Sequence, residues 1–157
     1  MNTTRNNLPA AAREELIPLL NARLADASDL KSQLKQAHWN VKGPQFLQLH
    51  ELFDGIAGRL DGQIDDIAER AVQLGGTAMG TLRLAAAAST LPEYPGGLTD
   101  GLAHAAAIAD RLAAYGASLR AAIDTSTALG DAGAADMFTG FSREADKDLW
   151  FVESHLQ

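Results

Sequence analysis

Leu16, Leu20, Leu24, Ala27, Leu30, Leu34 and Ala37 follow one another at steps of three or four residues. Only an α-helix places residues at that spacing on one side, so the stripe predicts a long amphipathic helix. Pro18 falls near its expected start, where a first-turn proline is tolerated. "VKGP" at residues 41–44 should end it at about Asn40. A second helix is expected from about Pro44 to Leu74, closed by Gly75 and Gly76. "TAMGTLRLAAAAST" can hold a short helix inside a long connection, and "LPEYPGG" breaks any regular element. Thr99 should cap a third long helix running through about Ile123, and Asp131 a fourth ending near Leu156. No stretch alternates with the period of a β-strand.

Four long helices in 157 residues predict a single all-α four-helix bundle with a real core. The tight turn at "VKGP" makes the first two helices antiparallel neighbours. The connection between the second and third, roughly two dozen residues, can cross the bundle, which is the ferritin-like connectivity. There is no cysteine, so disulfides and thiolate metal sites are excluded. The net charge of −7 disfavours nucleic acid as the main partner, because such binding needs a basic patch. "MNTTRNNLPA" lacks the apolar core of a signal peptide and no apolar run approaches membrane length, so a cytoplasmic, membrane-free protein is expected.

The second helix divides into two faces when it is wound at about 100° per residue. Phe46, Leu49, Phe53, Ile56, Leu60, Ile64, Ile67 and Leu74 share the expected core side. Roughly opposite lie His50, Asp54, Asp61, Asp65 and Glu69, and Gly55, Gly58 and Gly62 continue that face. Each glycine inside a helix costs about 0.8–1 kcal/mol relative to alanine. Three on one side make sense where another backbone approaches closely, so this carboxylate-rich face reads as an interface rather than a solvated surface.

His50 and Asp54 stand four residues apart and can reach one ion; Asp65 and Glu69 repeat the spacing. From His50 to Asp65 the helix rises about 22 Å, so no ion can touch both pairs within one chain. A two-fold axis that sets this helix antiparallel to its own copy would bring the pairs level. His38, just before the turn, would come beside His50. Two imidazoles with three carboxylates suit iron, manganese or zinc better than calcium or copper(I). His104 and His155 read as satisfied structural histidines, and Glu144 and Asp148 as ordinary surface charges.

"KQAHWNVKGPQFLQLHELFDGIAGRLDGQIDDIAERAVQLGG", residues 35–76, closely resembles the signature of the Dps family, the mini-ferritins, and the likeness extends through "SREADKDLWFVESHL" near the end. The resemblance implies a ferritin-like bundle (residues 13–157 behind a short flexible tail, 1–12) that assembles as a hollow homododecamer. It implies oxidation of Fe(II) by hydrogen peroxide or oxygen, with storage of an Fe(III) mineral and protection against oxidative stress. Carried over residue by residue, the family's metal ligands fall on His38, His50 and Asp54 of one chain and Asp65 and Glu69 of its two-fold mate, with zinc possible as a substitute for iron. Trp39 matches a tryptophan that takes up stray oxidising equivalents, and Asp131 and Asp136 match acids that line cation pores. Members that bind DNA, and so reach the nucleoid, often use a lysine-rich tail. Residues 1–12 hold Arg5 and no lysine, and the last helix runs nearly to Gln157, so DNA compaction is the secondary reading.

Overall fold

The computed structural model describes residues 1–157, which form α1 (Ala10–Asn40), α2 (Phe46–Gln73), α3 (Leu82–Ala88), α4 (Gly101–Ala128) and α5 (Ala132–Glu153). There is no strand, only one isolated bridge between Lys42 and Asp100. α1 packs along α2 and α4 along α5; the pairs meet mainly through α1 and α4, and α3 lies on α1. The connection from residue 74 to residue 100 crosses the bundle and carries α3, as expected.

The α1 stripe is the heart of the core: Leu16, Leu20, Leu24, Ala27, Leu30, Leu34 and Ala37 are all buried. They meet Leu49, Phe53, Ile56, Leu60 and Ile67 of α2, Ile108, Leu112, Tyr115 and Leu119 of α4, and Phe138 and Val152 of α5. Burial of each large side chain contributes about 1.5–3 kcal/mol. Phe46, expected in this core, is instead exposed, because it lies in the first turn of α2, beyond the end of α1, and its ring tilts against His50.

Pro18 stands well inside α1 rather than in its first turn. The helix begins at Ala10, and ahead of Leu16 it buries only the small Ala12, so no apolar stripe announces its first turn. The segment expected as a flexible tail therefore contains the start of α1. Ahead of it, the Asn2 amide donates to the Gly75 carbonyl at 2.7 Å, and Arg13 donates to the carbonyls of Leu8 and Leu74. This segment is strapped against the end of α2.

The turn between α1 and α2 needs Gly43, whose φ of 104° is left-handed, followed by Pro44, which cannot continue a helix. α4 is capped by Asp100, one residue beyond the expected Thr99, with its carboxylate accepting from the Ala103 amide at 2.9 Å. The Thr99 carbonyl is engaged by the Lys42 amide in the bridge. α4 also runs past Ile123 to Ala128, and within this extension the Thr125 hydroxyl donates to the Ala121 carbonyl one turn back. Asp131 caps α5 as expected, accepting from the Ala134 amide, and α5 stops at Glu153.

Candidate metal centre

The Gly43–Pro44 turn folds His50 of α2 back beside His38 of α1. Their rings stack at 3.7 Å between centroids, 23° from parallel. The contact is reciprocal: His38 Nδ1 donates to the His50 carbonyl at 2.8 Å, and His50 Nδ1 donates to the His38 carbonyl at 2.9 Å. A carbonyl only accepts, so each Nδ1 must carry its proton. In the neutral rings both Nε2 atoms are then left with free lone pairs, the tautomer a metal requires. The His38 carbonyl is free for this because the Lys42 amide, which would otherwise close the last turn of α1, turns to Thr99.

Asp54 sits one turn past His50 and is half exposed. Lys35 of α1 donates to its Oδ1 at 2.5 Å, and that hydrogen bond is the main cause holding its carboxyl below the usual carboxylate range. Lys31 similarly engages Asp61. Neither lysine stood out in the sequence, since lysines four apart on a helix read as a solvated edge. Their pairing becomes visible only once α1 and α2 lie antiparallel.

Asp65 and Glu69 are exposed on the same face, outside every ion pair within the chain. The chain thus brings His38 and His50 together with Asp54 nearby and leaves Asp65 and Glu69 apart, and no three such residues cluster closely enough to hold an ion. Between the two ends, a side chain at Gly58 or Gly62 would meet nothing within 4 Å, and one at Gly55 only the tip of Arg59. Nothing inside the chain calls for glycine there.

Trp39 is 67% exposed, with the Lys35 ammonium 5.8 Å above its ring. Asp131 is buried and its oxygens are engaged by the Ala134 amide and the Arg70 guanidinium, whereas Asp136 is exposed and unpaired. Asp148 corrects the expectation of a surface charge: it is 5% exposed and paired with Arg59, and burial pushes its carboxyl up despite that partner. Glu144 is exposed and accepts from Gln63 at 2.8 Å, continuing a chain from the Tyr115 hydroxyl. His155 Nδ1 donates to the Phe151 carbonyl one turn back at 2.9 Å, and His104 is buried against Tyr94.

A long helix pair carrying two metal-ready imidazoles, beside a carboxylate face and a crossing connection, defines a ferritin-like chain, and the Ferritin-like domain family matches residues 17–157. The chain belongs to the Dps family of that class. It is 46% identical over 154 residues, 98% of this chain and 95% of the relative, to a "DNA protection during starvation protein" of Agrobacterium fabrum. Among solved structures it is similar to Dps of Mycobacterium smegmatis, with TM-score 0.95, 29% identity, and 100% and 94% of the two chains covered. It is also similar to the Dps protein of Vibrio cholerae O1, described as a ferritin-like diiron-carboxylate protein, with TM-score 0.91, 25% identity, and 100% and 98% covered. No helix is long and apolar enough to cross a membrane.

Proposed function

We propose that this chain is the subunit of an iron-storing ferroxidase whose site is shared between two copies. The observation that carries the reading is the reciprocal histidine pair, which presents two Nε2 lone pairs beside a face where Asp65 and Glu69 have no partner in the chain. Two copies meeting with α2 antiparallel bring Asp65 and Glu69 of the partner subunit level with His38, His50 and Asp54. The bare faces of Gly58 and Gly62 leave room for that approach. Assembly continues to a hollow dodecamer that collects cations through its acidic surface and stores the ferric product as mineral.

Fe(II) is the substrate and hydrogen peroxide, or oxygen, the oxidant. Two Fe(II) ions give one electron each to a peroxide, which takes up two protons and leaves as two waters. Giving both electrons together avoids the hydroxyl radical that a single transfer releases. The neutral imidazoles favour Fe(II) entry, the carboxylates favour the Fe(III) formed, and zinc fits the same donors without redox chemistry. Lys35 balances the Asp54 charge until a cation replaces it. Anaerobic titration of metal-free protein with Fe(II) and peroxide should give ferric absorbance that saturates at two Fe(II) per peroxide. Absorbance no faster than in buffer would sink this reading.

DNA compaction, with the metal site secondary, is the weaker alternative. Residues 1–12 hold no lysine, and hydrogen bonds from Asn2 and Arg13 strap the segment to the end of α2, which opposes a mobile basic arm. The assembled protein should not retard duplex DNA at physiological salt. A shift that weakens steeply as salt rises would reverse that conclusion.

A further inference from the structure

Tyr94 and His104 lie outside the metal centre and have no role in the chemistry above. Tyr94 is in the crossing connection, just before the Pro95-Gly96-Gly97 break. His104 is in the first turn of α4 and almost fully buried. The Tyr94 hydroxyl and His104 Nδ1 are 2.6 Å apart, and the two rings lie nearly parallel, 17° between planes. Such a contact ordinarily just pins a loop to a helix. Three further features point to chemistry.

The first is the comparison within the chain, which has only two tyrosines. Tyr115 is fully buried and its hydroxyl donates to the amide oxygen of Gln63, which is not a base. Tyr94 instead faces an imidazole nitrogen, which can accept the proton outright. The second is access. Tyr94 lines a cavity of about 500 Å3 together with Gln33, Gln36, Asp29 and Glu93, roomy enough for water and small oxidants. The third is the surrounding charge. The Arg111 guanidinium lies 5.6 Å over the Tyr94 ring, so loss of an electron alone would set a ring cation against a fixed positive charge. Loss of the electron and the proton together leaves the ring neutral.

We propose that Tyr94 and His104 form a proton-coupled redox pair that takes up single oxidising equivalents escaping the metal site. The proposal rests on the ferroxidase reading for its oxidant, the hydroxyl radical released when an unpaired Fe(II) reduces peroxide by one electron. Tyr94 gives one electron to the hydroxyl radical, which becomes hydroxide. In the same step the phenolic proton moves from Oη to His104 Nδ1, leaving a neutral tyrosyl radical and an imidazolium. A later Fe(II) returns the electron and becomes Fe(III), and the proton goes back to Oη. Burial holds the His104 imidazole below the ordinary histidine range and pushes the Tyr94 phenol up to about 12, so at rest the ring is neutral and the phenol keeps its proton; the proposed step uses the tautomer whose Nδ1 accepts from Oη. When the proton arrives, the nearby Asp100 carboxylate favours the charge, and His104 Nε2 is buried without a hydrogen-bond partner. Asn40, whose backbone lies near His104, is two residues from His38, which puts the pair at the metal-bearing end of the bundle.

The test oxidises the assembled, metal-free protein with a flash-generated ruthenium trisbipyridine oxidant and follows the radical by freeze-quench paramagnetic resonance. Wild type and Tyr115→Phe should give a tyrosyl signal that forms more slowly in heavy water, and Tyr94→Phe should give none. His104→Gln, which can accept a hydrogen bond but not a proton, should slow radical formation by about 100-fold, the lower bound for a positioned base. Equal rates in water and heavy water, or a full tyrosyl signal in Tyr94→Phe, would overturn the proposal without relying on the His104 variant to fold. With Fe(II) and peroxide, Tyr94→Phe should release more spin-trapped hydroxyl radical per iron oxidised. If wild type fails to oxidise iron, the ferroxidase reading fails while the flash result still decides the pair.

Discussion

Replacing both His50 and Asp54 with alanine should slow peroxide-driven Fe(II) oxidation by more than tenfold while the bundle stays folded. In the proposed site His50 supplies one Nε2, and its Nδ1 donates to the His38 carbonyl, so its loss frees the His38 ring to turn as well. Even the loss of a group that merely orients a ligand costs about 10–100-fold in metal affinity or activity. Removing two ligands and an orienting contact together belongs at or beyond the upper end. Neither residue is in the core cluster, and Lys35 loses only a solvent-screened, half-exposed ion pair. Stopped-flow ferric absorbance, with far-ultraviolet dichroism as the control for folding, measures both sides. Unchanged oxidation kinetics in a folded variant would remove the site assignment.

Gly62→Arg should abolish assembly while leaving the chain itself at least as helical. No atom lies within 4 Å of a side chain built there, so the isolated subunit accommodates the arginine. The helix also exchanges a poor former for a good one, a gain of roughly 0.8 kcal/mol. On the proposed two-fold, an arginine projecting from this face would occupy the space the partner's backbone needs, twice at every axis. Native mass spectrometry should show loss of the oligomer, and ferroxidase activity should fall with it. An intact oligomer would mean that α2 does not form the two-fold contact.

The helices were readable because their evidence is local: an apolar stripe at steps of three and four, a Gly-Pro stop after α1, and a double glycine after α2. The departures fall where tertiary context decides. The first turn of α1 buries only the small Ala12, so no apolar stripe marked it and Pro18 passed for a first-turn residue. Phe46 carries a core residue's composition but stands beyond the reach of α1. Thr99 and Asp100 are both competent caps, and the bridge to Lys42 chooses between them.

The metal-ready histidines were legible as two imidazoles flanking a tight turn, because the turn alone determines that they meet. Their mutual carbonyl contacts were not, since those depend on which carbonyl the end of α1 leaves unsatisfied. Lys35, Arg59 and Arg70 each neutralise a carboxylate that is remote in sequence, so the burial of Asp131 and Asp148 could not be seen from their own neighbourhoods. The separation of His50 from Asp65 along one rigid helix was the most informative sequence fact, because a site that uses both requires a second copy.

Complementation between two inactive variants tests that demand most directly. One chain carries His50→Ala with Asp54→Ala, the other Asp65→Ala with Glu69→Ala, and each alone should be inactive. Dissociated, mixed in equal amounts and reassembled, a dimer of unlike chains joins the intact histidine half of one to the intact acidic half of the other. Half of the randomly formed dimers are unlike, and each regains one of its two sites, so the mixture should recover about a quarter of wild-type activity. If every site lay within a single chain, mixing would restore nothing, and the shared centre would be contradicted.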